Sequence, residues 1–292
     1  MTSIRIVLAL AASSLWKLWQ LDVKNVFLYG ELDRPIYIEQ PPGFEKTDAS
    51  ESDSSLFIKK KHGQMVVVLL YVDDIILTGS NYDEVIRLQY ELSLCFEMKK
   101  LGELGIFLGM QIKNFDKGLF VSQINYTKKL VENFGMTNGK KSYTSLDVNP
   151  RLSRDEGTCL PDPLPYHALV GSLTITRPDI AYAVGVVSRY MNEPRKPHLE
   201  EAKKIVKYIN TSLDIGLLYE KDAKFVLQGY ADADFAGDRD DRKSTSGFVF
   251  FCGNTSISWS SRKQGSVSLS TTEAEYKAST HAAQECIWLR RL

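Results

Sequence analysis

The chain has 292 residues, 43% of them hydrophobic and 25% charged, which excludes a disordered or fibrous class and leaves room for two folded domains. Lys plus Arg and Asp plus Glu both total 36, so a uniformly basic nucleic-acid coat is excluded, although a local basic groove is not. Four scattered cysteines (Cys95, Cys159, Cys252, Cys286) and four scattered histidines form no metal-binding or disulfide spacing, which fits a reducing intracellular compartment.

In chain order, the pattern predicts a helix over 3–18, a strand over 21–28 and an extended piece over 35–40 that ends at Pro41-Pro42-Gly43. Arg5 and the apolar run 6–12 also admit a secretory signal, in which case the triplets at Asn125, Asn210 and Asn254 become glycan acceptors. No apolar run reaches the length of a membrane span. A Ser/Asp/Glu-rich loop over 45–55 is followed by a hairpin over 65–78, two β-branched runs separated by Asp73 and Asp74. Val85, Leu88, Leu92 and Phe96 mark a helix over 83–97.

A second hairpin over 104–125 turns at Asp116-Lys117-Gly118, and a helix covers 126–134. Residues 138–165 hold four of the ten prolines and read as a linker. Helices over 166–191 and 197–210 follow; Lys196, Lys203, Lys204 and Lys207 either track phosphates or form a solvated face. Short strands at 225–232, 246–252 and 256–260 surround a solvated turn at 238–243. The last helix opens on Ser270-Thr-Thr-Glu273, a capping-box pattern.

Adjacent carboxylates between apolar strands repel each other and resist burial unless a cation neutralises them, although an Asp-Asp dipeptide also fits an exposed turn. Asp22, at the head of another strand, adds a third carboxylate. A lone strand aspartate plus an Asp-Asp hairpin is the set that two-cation phosphoryl transfer requires.

The runs Leu21-Asp-Val-Lys-Asn-Val-Phe-Leu-Tyr-Gly-Glu-Leu-Asp33, Ile36-Tyr-Ile-Glu-Gln-Pro-Pro-Gly-Phe44 and Leu70-Tyr-Val-Asp-Asp-Ile-Ile-Leu-Thr-Gly79 closely resemble copia-type retrotransposon reverse transcriptases. The resemblance implies metal-binding and catalytic roles for Asp22, Asp73 and Asp74. It also suggests that Phe27 is the aromatic gate against a ribose 2′-hydroxyl, though a core aromatic reads similarly, and that Leu104–Lys113 is the primer-gripping hairpin. Gln228-Gly-Tyr-Ala-Asp-Ala-Asp-Phe-Ala-Gly-Asp238 and Ser270-Thr-Thr-Glu-Ala-Glu-Tyr276 resemble the RNase H domain of the same polyprotein, with Asp232 and Glu275 as its metal-binding catalytic carboxylates. Asp234 and Glu273 are their neighbours, the latter suited to capping.

The implied fold is α+β: a reverse-transcriptase palm-like domain followed by a partial RNase H-like domain. It divides into a partial reverse transcriptase (1–137), a helical connection (138–224) and a partial RNase H-like unit (225–292). The implied function is RNA-directed DNA polymerase with RNase H, using Mg2+ or Mn2+, on RNA template, DNA primer, deoxynucleoside triphosphates and RNA–DNA hybrid, with other polyprotein segments as partners and no membrane. Against that family, the sequence lacks the fingers segment ahead of Met1, a base-pair-stacking segment between Phe44 and Ser55, about one helical turn at 171–176, and a third RNase H carboxylate beyond Leu292. The expectation is therefore a degenerate copy, the alternative being an inactive remnant that at most binds nucleic acid.

Overall fold

The computed structural model describes residues 1–24, 55–137, 139–147, 152–171, 173 and 176–292. It opens with α1 (Thr2–Ser13) and β1 (Trp19–Val23), then β2 (Leu56–Lys61), β3 (Gln64–Tyr71), β4 (Asp74–Gly79), α2 (Tyr82–Cys95) and β5 (Met98–Glu103). The five strands form one antiparallel sheet in the order β2-β3-β4-β1-β5. Strand alternation sorts its residues: Leu21, Ile75 and Leu77 pack with Val85 of α2 on one face, while Val67, Leu69 and Ile76 face α1 on the other.

β6 (Ile106–Phe107), β7 (Met110–Phe115) and β8 (Gly118–Ser122) begin a second sheet, and α3 (Ile124–Asn133) follows. Next come α4 (Leu164–Gly171), α5 (Ala181–Val187) and α6 (Lys196–Thr211). α6 buries the stripe His198, Ala202, Ile205, Val206 and Ile209, the one-face spacing of an amphipathic helix, against α4 and α5. Tyr166 is fully buried there and donates its hydroxyl to the Val187 carbonyl at 2.6 Å. β9 (Leu217–Glu220) returns to complete the second sheet, β6-β7-β8-β9. β10 (Leu227–Asp234), β11 (Thr245–Cys252) and β12 (Thr255–Lys263) make a third, antiparallel sheet, and α7 (Thr271–Arg291) packs on it.

α1 is shorter than the helix expected over 3–18. It is apolar nearly all round, and Ile4, Val7, Leu8 and Ala11 are buried where all three sheets meet. It stops at Ser13 because Leu15 takes φ +57°, and the amides of Leu15 and Trp16 bond back to Ala12 and Ala11 in a Schellman closure. Arg5 is buried as well; its guanidinium lies 3.7 Å over the Trp259 ring and donates to the Ile257 carbonyl at 3.1 Å.

Mixed α and β structure is as expected, with further local corrections. β2, β5 and β9 are strands where the sequence pattern signals none. The helix expected over 166–191 is divided, with a separate 3-10 turn at Pro178–Ile180 leading into α5. The turn at 238–243 is not simply solvated: Asp238 is 3% exposed and pairs with Arg189 at 3.1 Å and Lys263 at 2.8 Å. On the lysine face of α6, Lys203 pairs with Glu200 and Lys204 with Asp147. No helix among the described residues is long and apolar enough to cross a membrane.

Candidate active site

β1 and β4 are neighbours, and their register sets Asp22 directly opposite Asp74. The Val23 amide donates to the Asp73 carbonyl at 2.8 Å. That makes Asp22–Asp74 a non-hydrogen-bonded pair, the type in which facing side chains come closest. Both residues are half-buried, whereas Asp73 is exposed on the turn. At a separation of about 5 Å, two carboxylates repel by roughly 1–3 kcal/mol at the effective dielectric of a protein surface. Gln20 donates Nε2 to Asp74 Oδ1 at 2.9 Å, which orients that carboxylate. On its other side Asp22 is in register with Lys99 of β5.

The turn between β3 and β4 is strained. Tyr71 pairs with Asp74, leaving only Val72 and Asp73 to reverse the chain. Val72 sits at φ +56° while Asp73 stays negative, the pattern of a type II′ turn, whose first position is normally glycine. A β-branched residue there is an outlier, and such strain concentrates at functional turns. The neighbouring β6–β7 hairpin turns through Leu108 (φ +48°) and Gly109 (φ +76°), and its buried Phe107 meets Tyr71 edge-on with ring centroids 6.4 Å apart. The hairpin expected to grip a primer thus borders the Asp-Asp turn. Phe27 lies outside the described residues.

In the third sheet, Asp232 pairs with Gly247 and Asp234 with Thr245. Gln264 donates Nε2 to Ser246 Oγ and to the Ala274 carbonyl, both at 2.9 Å, and Ser258 donates to Glu285. α7 therefore covers the face that carries Ser246 and Ser258, while Asp232, one register step away, points from the other face. There Asp232 and Asp234 line a cleft of about 640 Å³ with Tyr182, Tyr230 and Trp259. The structure thus sets Asp232 and the helix bearing Glu275 on opposite sides of the sheet. Glu273 caps α7: its amide donates to Ser270 Oγ, its carboxylate accepts from the Leu269 amide, and Lys277 at 2.8 Å holds its carboxyl below the usual range. Among the described residues no three His, Cys, Asp or Glu side chains gather as a metal site.

Sequence reasoning did not find Gln20, Lys99 or Tyr182 as neighbours of these carboxylates. Gln20 had a local signal, since it stands two residues before Asp22 and so shares its face. The other two depend on pairings distant in sequence.

The family described as "Reverse transcriptase (RNA-dependent DNA polymerase)" matches residues 1–54 and 45–147. The retrovirus-related Pol polyprotein from transposon RE2 of Arabidopsis thaliana is 36% identical over 327 aligned positions, covering 99% of this chain and 22% of that protein. The corresponding polyprotein from transposon TNT 1-94 of Nicotiana tabacum is 37% identical over 342 positions, covering 100% and 26%. An uncharacterized mitochondrial protein of Arabidopsis thaliana is 41% identical over 225 positions, 76% of this chain and 93% of that one. No solved structure matches. The chain spans only about a quarter of the length of the Pol polyproteins it matches. With that match and near-complete coverage of its own length, the chain belongs to the reverse transcriptase family, as a segment resembling the Pol polyproteins of copia-type retrotransposons.

Proposed function

We propose that the five-stranded sheet is the palm of an RNA-directed DNA polymerase, in which Asp22, Asp73 and Asp74 hold Mg2+ or Mn2+. The observation that supports this most is the register that faces Asp22 with Asp74 beside a strained Val72-Asp73 turn. The donor set fits a hard cation, since Mg2+ is commonly bound through one or two carboxylates, with waters and substrate phosphates completing its shell. Bound ions would supply charge neutralisation at the phosphates and activation of a 3′-hydroxyl. The chain's own residues position: Gln20 fixes Asp74, the turn presents Asp73, and the β6–β7 hairpin sits beside Tyr71 where a primer end belongs.

Under this reading the substrates are RNA template, DNA primer and deoxynucleoside triphosphates, with Phe27 as the 2′-hydroxyl gate. Asp232 and Glu275 would serve cleavage of the RNA strand of an RNA–DNA hybrid; to share an ion, β10 has to turn about its own axis so that Asp232 comes to the α7 face. This copy is impaired in our reading. An internal loss near residue 50 is supported by the family match, which comes in two pieces that overlap at 45–54; the alignments, running to 327 and 342 positions against 292 residues, add only that the chain is shorter than its relatives over the matched span.

Two measurements on the purified chain test this. Mn2+ binding, read by electron paramagnetic resonance, is expected to weaken in Asp22→Asn and in Asp74→Asn; binding indifferent to both overturns the metal assignment. Primer extension on an RNA template is expected at background, and robust synthesis abolished by Asp73→Asn overturns the impaired reading while supporting the polymerase.

A further inference from the structure

Two neighbouring hairpins each reverse the chain in two residues, and each carries an aromatic side chain immediately ahead of its turn. Tyr71 pairs with Asp74 across Val72-Asp73, and Phe107 pairs with Met110 across Leu108-Gly109. Leu108 and Gly109 both take positive φ, the pattern of a type I′ turn, so a leucine stands where asparagine or glycine is usual. Each turn thus holds one branched side chain, Val72 or Leu108, at a positive φ that it disfavours on its own.

The two aromatic rings meet, 6.4 Å between centroids and 72° between planes, within the range of a favourable edge-to-face pair. They differ in anchorage. Phe107 is 1% exposed and packs in the same core as Leu69 and Met110, whereas Tyr71 is 42% exposed. The backbone around Phe107 is also tied down: the Leu104 amide donates to the Leu18 carbonyl at 2.9 Å, and the Ile112 amide to the Gly105 carbonyl at 2.8 Å. Tyr71 in turn stands opposite Asp74, which stands opposite Asp22, so all three side chains project from one face of the sheet.

We propose that Phe107 is a positioning residue for the metal-binding carboxylates, acting through Tyr71. The buried ring is a fixed stop, and the Tyr71 ring rests against it. Tyr71 is the last residue before the strained turn that presents Asp73 and Asp74. Without the stop, the half-exposed tyrosine gains other rotamers, and Val72 loses part of what holds it at positive φ. A displacement of the β6–β7 hairpin, as when it engages a primer end, reaches the carboxylates through this ring contact. The inference rests on the palm reading above and adds to it a coupling between the hairpin and the metal site.

Mn2+ binding to the full chain, read by electron paramagnetic resonance, tests the coupling in a double-mutant cycle. Phe107→Leu keeps an apolar side chain in the core but removes the ring. Tyr71→Leu removes the same contact from its exposed side, and so tests it even where Phe107→Leu does not fold. Each is expected to weaken Mn2+ binding about two- to tenfold, the worth of one aromatic pair, and the double variant no further than either alone. Ile112→Val is the control: a buried residue of β7 outside the ring pair, it should lower the urea midpoint and leave Mn2+ affinity unchanged. Binding that weakens in Asp22→Asn but not in Tyr71→Leu or in folded Phe107→Leu overturns the positioning role and leaves the palm reading standing. Losses that add in the double variant, or an equal loss in Ile112→Val, overturn it too. Indifference to Asp22→Asn overturns both.

Discussion

Asp238 gives the sharpest stability test. Its carboxylate is 3% exposed and receives Arg189 at 3.1 Å, Lys263 at 2.8 Å and the Asp240 and Asp241 amides at 3.0 and 3.3 Å. Asp238→Ala leaves two largely buried cations short of a counter-charge and two amides short of an acceptor. Removing one partner of a buried pair costs about 3–5 kcal/mol. Two contacts survive, Lys263 to Asp241 at 2.9 Å and Arg189 to Thr245 Oγ1 at 2.7 Å, so the lower end, about 3 kcal/mol, is expected. For a chain of this size that is a fall in Tm of about 6–12 °C. Arg239→Ala is the control. Its pair with Glu156 spans 3.9 Å between half-exposed side chains and contributes under about 1 kcal/mol. Urea unfolding of both variants decides the matter: if Asp238→Ala loses no more than Arg239→Ala, the buried-clasp reasoning fails.

Val72→Gly should raise stability by about 1 kcal/mol, since relief of a positive φ, about 1–2 kcal/mol, exceeds the entropy glycine loses on folding; a lower urea midpoint would refute the strain. His198 is fully buried, accepts from the Arg195 amide at Nδ1, lies 3.0 Å from the Ser153 carbonyl at Nε2 and stacks on Tyr190, and desolvation lowers its pKa. Because the folded value lies below the unfolded value of about 6.5, its contribution is complete above that pH and is lost as pH falls through the folded value. Unfolding midpoints between neutral pH and about pH 5 should therefore fall less in His198→Phe than in the parent chain, and equal falls would contradict this. Gln20→Leu, which removes the donor to Asp74, should weaken Mn2+ binding less than Asp74→Asn does; an equal or larger loss would make Gln20 more than a positioning residue.

The hairpin bearing Asp73 and Asp74 was legible because its two apolar runs are buried and β-branched, and burial on a regular face writes itself as periodicity. β2 and β5 were not legible. They are edge strands rich in lysine, of which only Lys59 turns in, to pair with Glu84, so Leu56-Phe-Ile-Lys-Lys-Lys61 and Met98-Lys-Lys-Leu-Gly-Glu103 carry little alternation. Asp22 and Asp74 were nameable as ligands, but their direct opposition depends on a pairing 52 residues apart in sequence, which no local pattern encodes. The same holds for Asp238: its nearest charged neighbours suggest a solvated turn, and what buries it arrives from Arg189 and Lys263.

The place of α1 at the meeting of three sheets has a consequence for synthesis. Arg5 reaches Ile257, 252 residues later, and the helix's apolar surface is covered partly by β11, β12 and α7. On a ribosome adding about 5–20 residues each second, roughly 14–55 s separate the completion of α1 from the appearance of Leu289, the last buried residue of the cluster that covers it. During that interval a twelve-residue helix, apolar nearly all round, has only part of its final surroundings available. While that interval lasts, α1 is the part of these 292 residues most exposed to aggregation, and faster translation would shorten the exposure.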